Sequence, residues 1–188
     1  LCFYDASRHE LVVFGGAAGS GGTLFGDTAM LGSSGWTVAS PSGPAARTDG
    51  AAAFVAHRGV GLIYGGSGSG TSVVADPWTW DGVAWAPLTA ANPPPARVAH
   101  GMAYDSLRDV VVLFGGATPS GAVFSYVGET WELTYRAAGL WSSRAGGEGR
   151  PPDMVAVPLA EAISRMKAVP LECDTILTAR DLGVCLGD

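Results

Sequence analysis

The sequence is short of charge: Asp, Glu, Lys and Arg make up 15% of its 188 residues, where about 25% is usual. Its only lysine is Lys167, and 11 basic residues face 17 acidic ones, for a formal net charge of −6. No basic surplus exists to neutralise phosphates, which excludes a nucleic-acid partner. No apolar run reaches the ~18 residues of a membrane-spanning helix. The three cysteines, Cys2, Cys173 and Cys185, are odd in number and far apart. That spacing excludes a disulfide framework and a zinc cluster, and the thiols read as buried apolar groups. Aromatic residues are missing altogether after Trp141. The first residue is Leu1 with no leader before it, so the chain reads as processed or as a fragment.

Glycine is what the sequence has in excess, with 28 residues, alongside 12 prolines. The glycines have no every-third spacing, so a collagen-like chain is excluded. A hydrophobic content of 47% is enough for a packed core, which argues against wholesale disorder.

The glycines mark a repeat. Gly15-Gly16, Gly65-Gly66 and Gly115-Gly116 are 50 residues apart, twice over. The strings before them also align: YDASRHELVVFGG, FVAHRGVGLIYGG and YDSLRDVVVLFGG. Arg8, Arg58 and Arg108 share one position of the repeat, and Phe14, Tyr64 and Phe114 another. Arg47 and Arg97 each open a unit after a Pro-rich stretch.

Each unit reads as four short strands. In the third, Val98 to Tyr104 is the first strand and YDSLRD the turn. Asp109 to Phe114 is a continuous apolar run, the pattern of a strand buried on both faces. Glu129 to Tyr135 alternates as a half-exposed strand, and Gly139–Trp141 begins the fourth. In the second unit, Asp81-Gly82 between aromatic strands predicts a tight hairpin. Four strands in about 50 residues describe one blade of a β-propeller.

The pattern resembles the kelch-repeat family, within the galactose oxidase-like propeller superfamily. The family marks its blades with a double glycine, then an acidic-Thr-Trp element, then a second tryptophan. The third unit has Gly115-Gly116, Glu129-Thr130-Trp131 and Trp141. The second has Gly65-Gly66, Asp76-Pro77-Trp78 and Trp85. The first has Gly15-Gly16, Asp27-Thr28-Ala29 and Trp36, and lacks the first tryptophan. The resemblance covers residues 1–142 and implies a mainly β fold, a partial kelch-type propeller of about three blades.

Paired glycines would let a strand end bend sharply and approach a neighbour, and the tryptophans would fill the space between blades. The repeated arginines read either as a ligand-binding ring or as scaffold. Pairing with backbone or with a turn carboxylate such as Asp5 or Asp105 is the reading favoured here. Three blades leave open edges or faces, since closed propellers use about 4–8. A fragment of a longer protein is therefore expected, with self-association through the open blades as a further expectation.

Residues 143–152 read as a linker, and residues 153–188 have a different composition. Leu159, Ala162, Ile163 and Met166 follow a helical period after Pro158, and Pro170 ends that helix. A second short helix is expected from about Asp174 to Leu182, followed by Gly183. Through the strings VPLAEA and TARDLGVCLGD the tail resembles the C-terminus of bacterial 6-phosphofructokinases. That resemblance implies a terminal packing element of a glycolytic phosphotransferase without its phosphate-cradling or catalytic residues. A fusion or fragment related to that kinase is the alternative functional reading.

No catalytic constellation is readable. His9, His57 and His100 fall at dissimilar repeat positions, and His100 reads as a strand histidine making a local hydrogen bond. The copper oxidases built on kelch propellers need a Cys–Tyr pair and two His ligands, and Cys2 is the only thiol before the linker. The Ser-x-Asp-x-Gly-x-Thr-Trp turn of propeller sialidases is missing. No catalytic, metal or cofactor residue is therefore assigned, and no cofactor is expected. The leading expectation is a non-catalytic binding or scaffold module. Its loops Ala17–Phe25, Ser67–Ala75 and Ala117–Val127 would meet a protein or glycan partner. The propeller resemblance implies an exported or envelope protein, the tail a cytoplasmic one.

Overall fold

The computed structural model describes residues 1–19, 22–39, 42–70, 72–120, 123–135 and 139–144. Residues 1–145 form one compact part. The helices expected beyond Pro158, with Cys173 and Cys185, lie outside the described residues.

The described chain is mainly β. Fourteen strands form three four-stranded antiparallel sheets and one separate hairpin. The first sheet runs in chain order through β1 (Cys2–Asp5), β2 (Glu10–Ala17), β3 (Leu24–Gly32) and β4 (Gly35–Ala39). The second runs through β5 (Ala51–Val55), β6 (Val60–Tyr64), β7 (Trp78–Trp80) and β8 (Trp85–Pro87). The third joins β9 (Gly101–Asp105), β10 (Val110–Phe114), β13 (Thr130–Thr134) and β14 (Leu140–Arg144). Between β10 and β13 the chain leaves that sheet to make the hairpin β11 (Ala117–Ser120) and β12 (Val123–Tyr126).

The turns follow from their acidic residues. Asp5 Oδ1 accepts the Ser7 and Arg8 amides at 3.0 and 3.1 Å, and Asp105 Oδ1 accepts those of Leu107 and Arg108 at the same distances. Asp81 does the same for Val83 and Ala84, both at 2.8 Å, in the tight turn between β7 and β8. A short carboxylate that bonds backbone amides two and three residues on holds the chain in a turn. The turn expected at Asp81-Gly82 is there.

Two apolar seams lie between the sheets. Phe3, Val12 and Phe14 of the first sheet pack with Ile63, Trp80 and Trp85 of the second. Ala53, Val55, Leu62 and Tyr64 on the opposite face of the second sheet pack with Val111, Leu113, Leu133 and Trp141 of the third. β6 is thus covered on both faces, and four of its five residues are buried. Each buried aromatic contributes on the order of 2–3 kcal/mol by leaving water.

Several expectations are corrected. The run ending at Phe114 was expected to be buried throughout, yet Phe114 itself is 58% exposed. Phe14 and Tyr64, its counterparts, are covered by the sheet that follows each of them, and no described sheet follows the third. The expected first strand from Val98 begins only at Gly101, because Val98 pairs instead with Ala117. The expected loop Ala117–Val127 is largely a hairpin, since its β-branched and aromatic residues extend a ladder. In Ala17–Phe25, by contrast, only Ala17, Leu24 and Phe25 join the strands, and the described residues between them form a loop as expected. Cys2 is exposed, because β1 alternates and turns Phe3 and Asp5, not Cys2, inward.

Candidate binding cleft

The double glycines place each unit's end against the start of the next. Gly15 and Gly16 have φ of +68° and +117°, and Gly65 and Gly66 have +67° and +108°. The Gly16 amide donates to Arg47 O at 2.9 Å, and the Gly66 amide to Arg97 O at 3.0 Å. A Cβ on Gly15 would stand 2.5 Å from Arg47 O, and one on Gly65 2.7 Å from Arg97 O. Only glycine satisfies both the dihedral and the approach.

The two unit-opening arginines are buried beneath this junction. Arg47 is 1% exposed and binds Asp76 through two hydrogen bonds of 2.5 and 2.9 Å, with Ala45 O and Gly65 O as further acceptors. Arg97 repeats the arrangement with Glu129, Pro95 O and Gly115 O. The same carboxylate accepts the indole N–H of the tryptophan two residues on, Trp78 at 2.9 Å and Trp131 at 3.0 Å. Burial alone would raise the Asp76 carboxyl, but the hydrogen bonds from Arg47 and Trp78 outweigh it and hold it low. Glu129 is held low by its hydrogen bonds from Trp131 and Arg97. These arginines are scaffold.

The turn arginines behave as the favoured reading expected. Arg8 pairs with Asp5 and Arg108 with Asp105, each at 2.7 Å. Arg58 has no acid at the matching position, which is Val55. It donates instead to Tyr135 O at 2.7 Å and lies 4.7 Å over the Tyr135 ring.

His100 departs from its expected role. It precedes β9, is 7% exposed, and neither ring nitrogen has a hydrogen-bond partner among the described residues. It packs edge-on to Tyr64 at 5.8 Å. Burial, reinforced by the Arg97 charge, pushes its pKa down to about 4. Among the described residues no group of three His, Cys, Asp or Glu side chains could hold a metal ion.

Above the Arg47 junction the chain opens into a cleft of about 770 Å³. One wall is the end of the β2–β3 hairpin, with Ala17, Gly19, Thr23 and Leu24. The other is the loop Ser67–Gly70, and Thr48 and Asp49 lie between them. A two-way backbone pairing of Thr48 with Ser67, at 2.7 and 3.0 Å, ties the floor to the second wall. Asp49 sits at φ +56° with its side chain exposed, and its carbonyl is held by the Ala99 amide at 2.8 Å. The lining offers hydroxyls, one carboxylate and open glycine backbone, and among the described lining residues there is no cation. Two of the expected recognition loops, Ala17–Phe25 and Ser67–Ala75, therefore meet at one cleft. The Ala117–Val127 segment does not line it. Thr48 and Asp49 were missed in the sequence, although they directly follow the repeated Arg47.

No family model matches the chain, and no curated protein matches it. Solved structures do match. The structure of YjhT superposes with a TM-score of 0.57 at 16% identity, covering 76% of this chain and 44% of its own. The likeness shows the fold alone. The chain spans less than half the length of that structure.

Proposed function

We propose that the chain is a binding module of the kelch-propeller type, its three sheets serving as blades and its cleft taking a protein or glycan partner. The observation that carries this reading is the convergence of two inter-strand loops on one polar cleft above a rigid arginine–carboxylate junction. Loops vary between the three copies while the strands agree, as expected when strands carry the fold and loops the recognition.

The lining narrows the ligand. Thr23, Thr48, Ser67 and Ser69 are paired donor–acceptors, Asp49 is an acceptor, and among the described lining residues none is basic to meet an anion. A neutral polyhydroxylated ligand, a glycan, fits that chemistry better than a phosphorylated or acidic one.

A panel of neutral and acidic glycans and peptides, screened against the intact chain, tests the proposal. The substitutions Asp49→Asn and Ser69→Ala should each weaken the best neutral glycan at least about tenfold, the loss of one good hydrogen bond in a cleft. Asn tolerates the left-handed backbone at this position, so the fold should hold. Binding unchanged in both variants, or confined to acidic glycans, would sink the assignment.

A further inference from the structure

The two seams between sheets obey one rule. The aromatic before each double glycine packs on the last tryptophan of the following unit: Phe14 on Trp85 at 5.2 Å, and Tyr64 on Trp141 at 5.4 Å. The turn arginine reaches forward in the same sense. Arg8 donates to the Asp81 carbonyl of the second sheet, and Arg58 to the Tyr135 carbonyl next to the third.

Applied to the whole described chain, the rule leaves two remainders. Phe114, the third aromatic of its kind, is 58% exposed, and Arg108 turns back onto Asp105 and Glu132. At the other end Trp36, the first of the last-tryptophan series, is also 58% exposed. Its face is continuous across the sheet, for the register sets Tyr4 opposite Leu11, Leu11 opposite Leu31, and Leu31 opposite Trp36. Val13, Ala29 and Val38 form a second row on that face by the same pairing. The face is as apolar as those the interior seams bury, and it is open: Tyr4, Leu31, Trp36 and Val38 are all exposed.

We infer that the outer face of the third sheet docks on the outer face of the first sheet of a second copy of this chain. The contact continues the internal stack head to tail. Phe114 meets Trp36 of the second copy, as Phe14 meets Trp85. Arg108 keeps Asp105, as Arg8 keeps Asp5, and extends to a carbonyl at the β3–β4 turn of the second copy. The cluster of Asp105, Arg108, Glu132 and Arg144 holds two acids and two bases in mutual ion pairs, so the contact buries no surplus charge. The occupant is a copy of this chain because each remainder is the missing half of the other. The two faces are unlike, so the interface is heterologous. The inference is independent of any ligand in the cleft.

Light scattering on the eluting 188-residue chain reads the result directly. The wild type should run as a dimer or larger assembly. Trp36→Asp and Phe114→Asp should each run as a monomer with an unchanged circular dichroism spectrum, since both sites are exposed. Mixed in equal amounts, the two variants should recover a dimer, because one supplies an intact Phe114 face and the other an intact Trp36 face. Val38→Lys, at a 65% exposed position of the same face, serves as a second blocking variant should Trp36→Asp misfold. A monomeric wild type overturns the inference, as it would if another segment of the chain covered either face. So does a mixture that stays monomeric, or a blocking variant that assembles alone.

Discussion

Arg47 and Asp76 are joined by two parallel hydrogen bonds, of 2.5 and 2.9 Å, across 29 residues of chain. The guanidinium is wholly buried and the carboxylate half exposed. The pair is therefore anchored from the arginine side, where Ala45 O and Gly65 O also depend on it. Arg47→Leu should lower stability by about 3 kcal/mol, because the buried Gly65 carbonyl loses its donor and the Asp76 carboxylate its partner. Asp76→Asn should cost less, since water can reach its place. Lysine should not rescue position 47, having no planar fork for two parallel bonds. Urea unfolding of the three variants gives the ranking, and equal losses for Arg47→Leu and Asp76→Asn would refute it.

Gly61 makes a second prediction possible. The matching positions of the other units are Leu11 and Val111, but a Cβ on Gly61 would stand 1.9 Å from the Phe3 ring. Phe3 fills that space and stacks on Phe54, the residue paired with Gly61, with ring centres 6.2 Å apart. Gly61→Ala should destabilise the chain by about 1–3 kcal/mol through overpacking. Combined with Phe3→Leu, the loss should be smaller than the sum of the two single effects. Strict additivity in thermal or denaturant unfolding would argue against this contact.

Acid should weaken the fold in two separable steps. His100 has its pKa pushed from 6.5 down to about 4 by burial, with Arg97 adding to the effect. Between these values the unfolded chain binds a proton that the folded chain refuses. Stability is therefore full above pH 6.5 and falls as pH drops toward 4, by roughly 3 kcal/mol in all. The carboxylates of Asp76 and Glu129, lowered in the fold from 3.8 and 4.5, keep their contribution above about pH 4.5 and lose it as pH falls further. His100→Leu should remove the upper step and leave the lower one. A variant whose stability still falls between pH 6.5 and 4.5, above the carboxylate step, would show that another group is responsible.

The β11–β12 hairpin should be dispensable to the fold. Its second strand is exposed at all four residues, and the hairpin forms a sheet of its own. Replacing Thr118–Ser125 by a two-residue turn should shift the melting temperature by only a few degrees, about 1 kcal/mol or less. A cooperative loss of the whole transition would show that the hairpin braces the third sheet.

Much of this architecture was legible because it repeats. The 50-residue period located the turns, the glycine junctions and the central strand of every sheet, since backbone constraints such as positive φ leave a residue-type signature. Arg47 and Arg97 were visible by the same alignment, but their partners were not. Asp76 and Glu129 lie 29 and 32 residues away, and only the way the third strand lies beside the second brings them under the guanidinium. The hairpin character of Ala117–Val127 was hidden because its proline and glycine, Pro119 and Gly121, read as loop residues.

By itself, the sequence determined the strand content, the double-glycine junctions and the low cationic charge, all of which are local or compositional. The tertiary structure alone decided which faces are covered. Phe14, Tyr64 and Phe114 are equivalent by sequence, yet two are buried and one is exposed. Burial depends on whether another sheet follows, and no property of the residue itself carries that information. The cleft is of the same kind: Thr48, Asp49 and Ser67 are unremarkable in order, and stacking of neighbouring sheets makes them one surface.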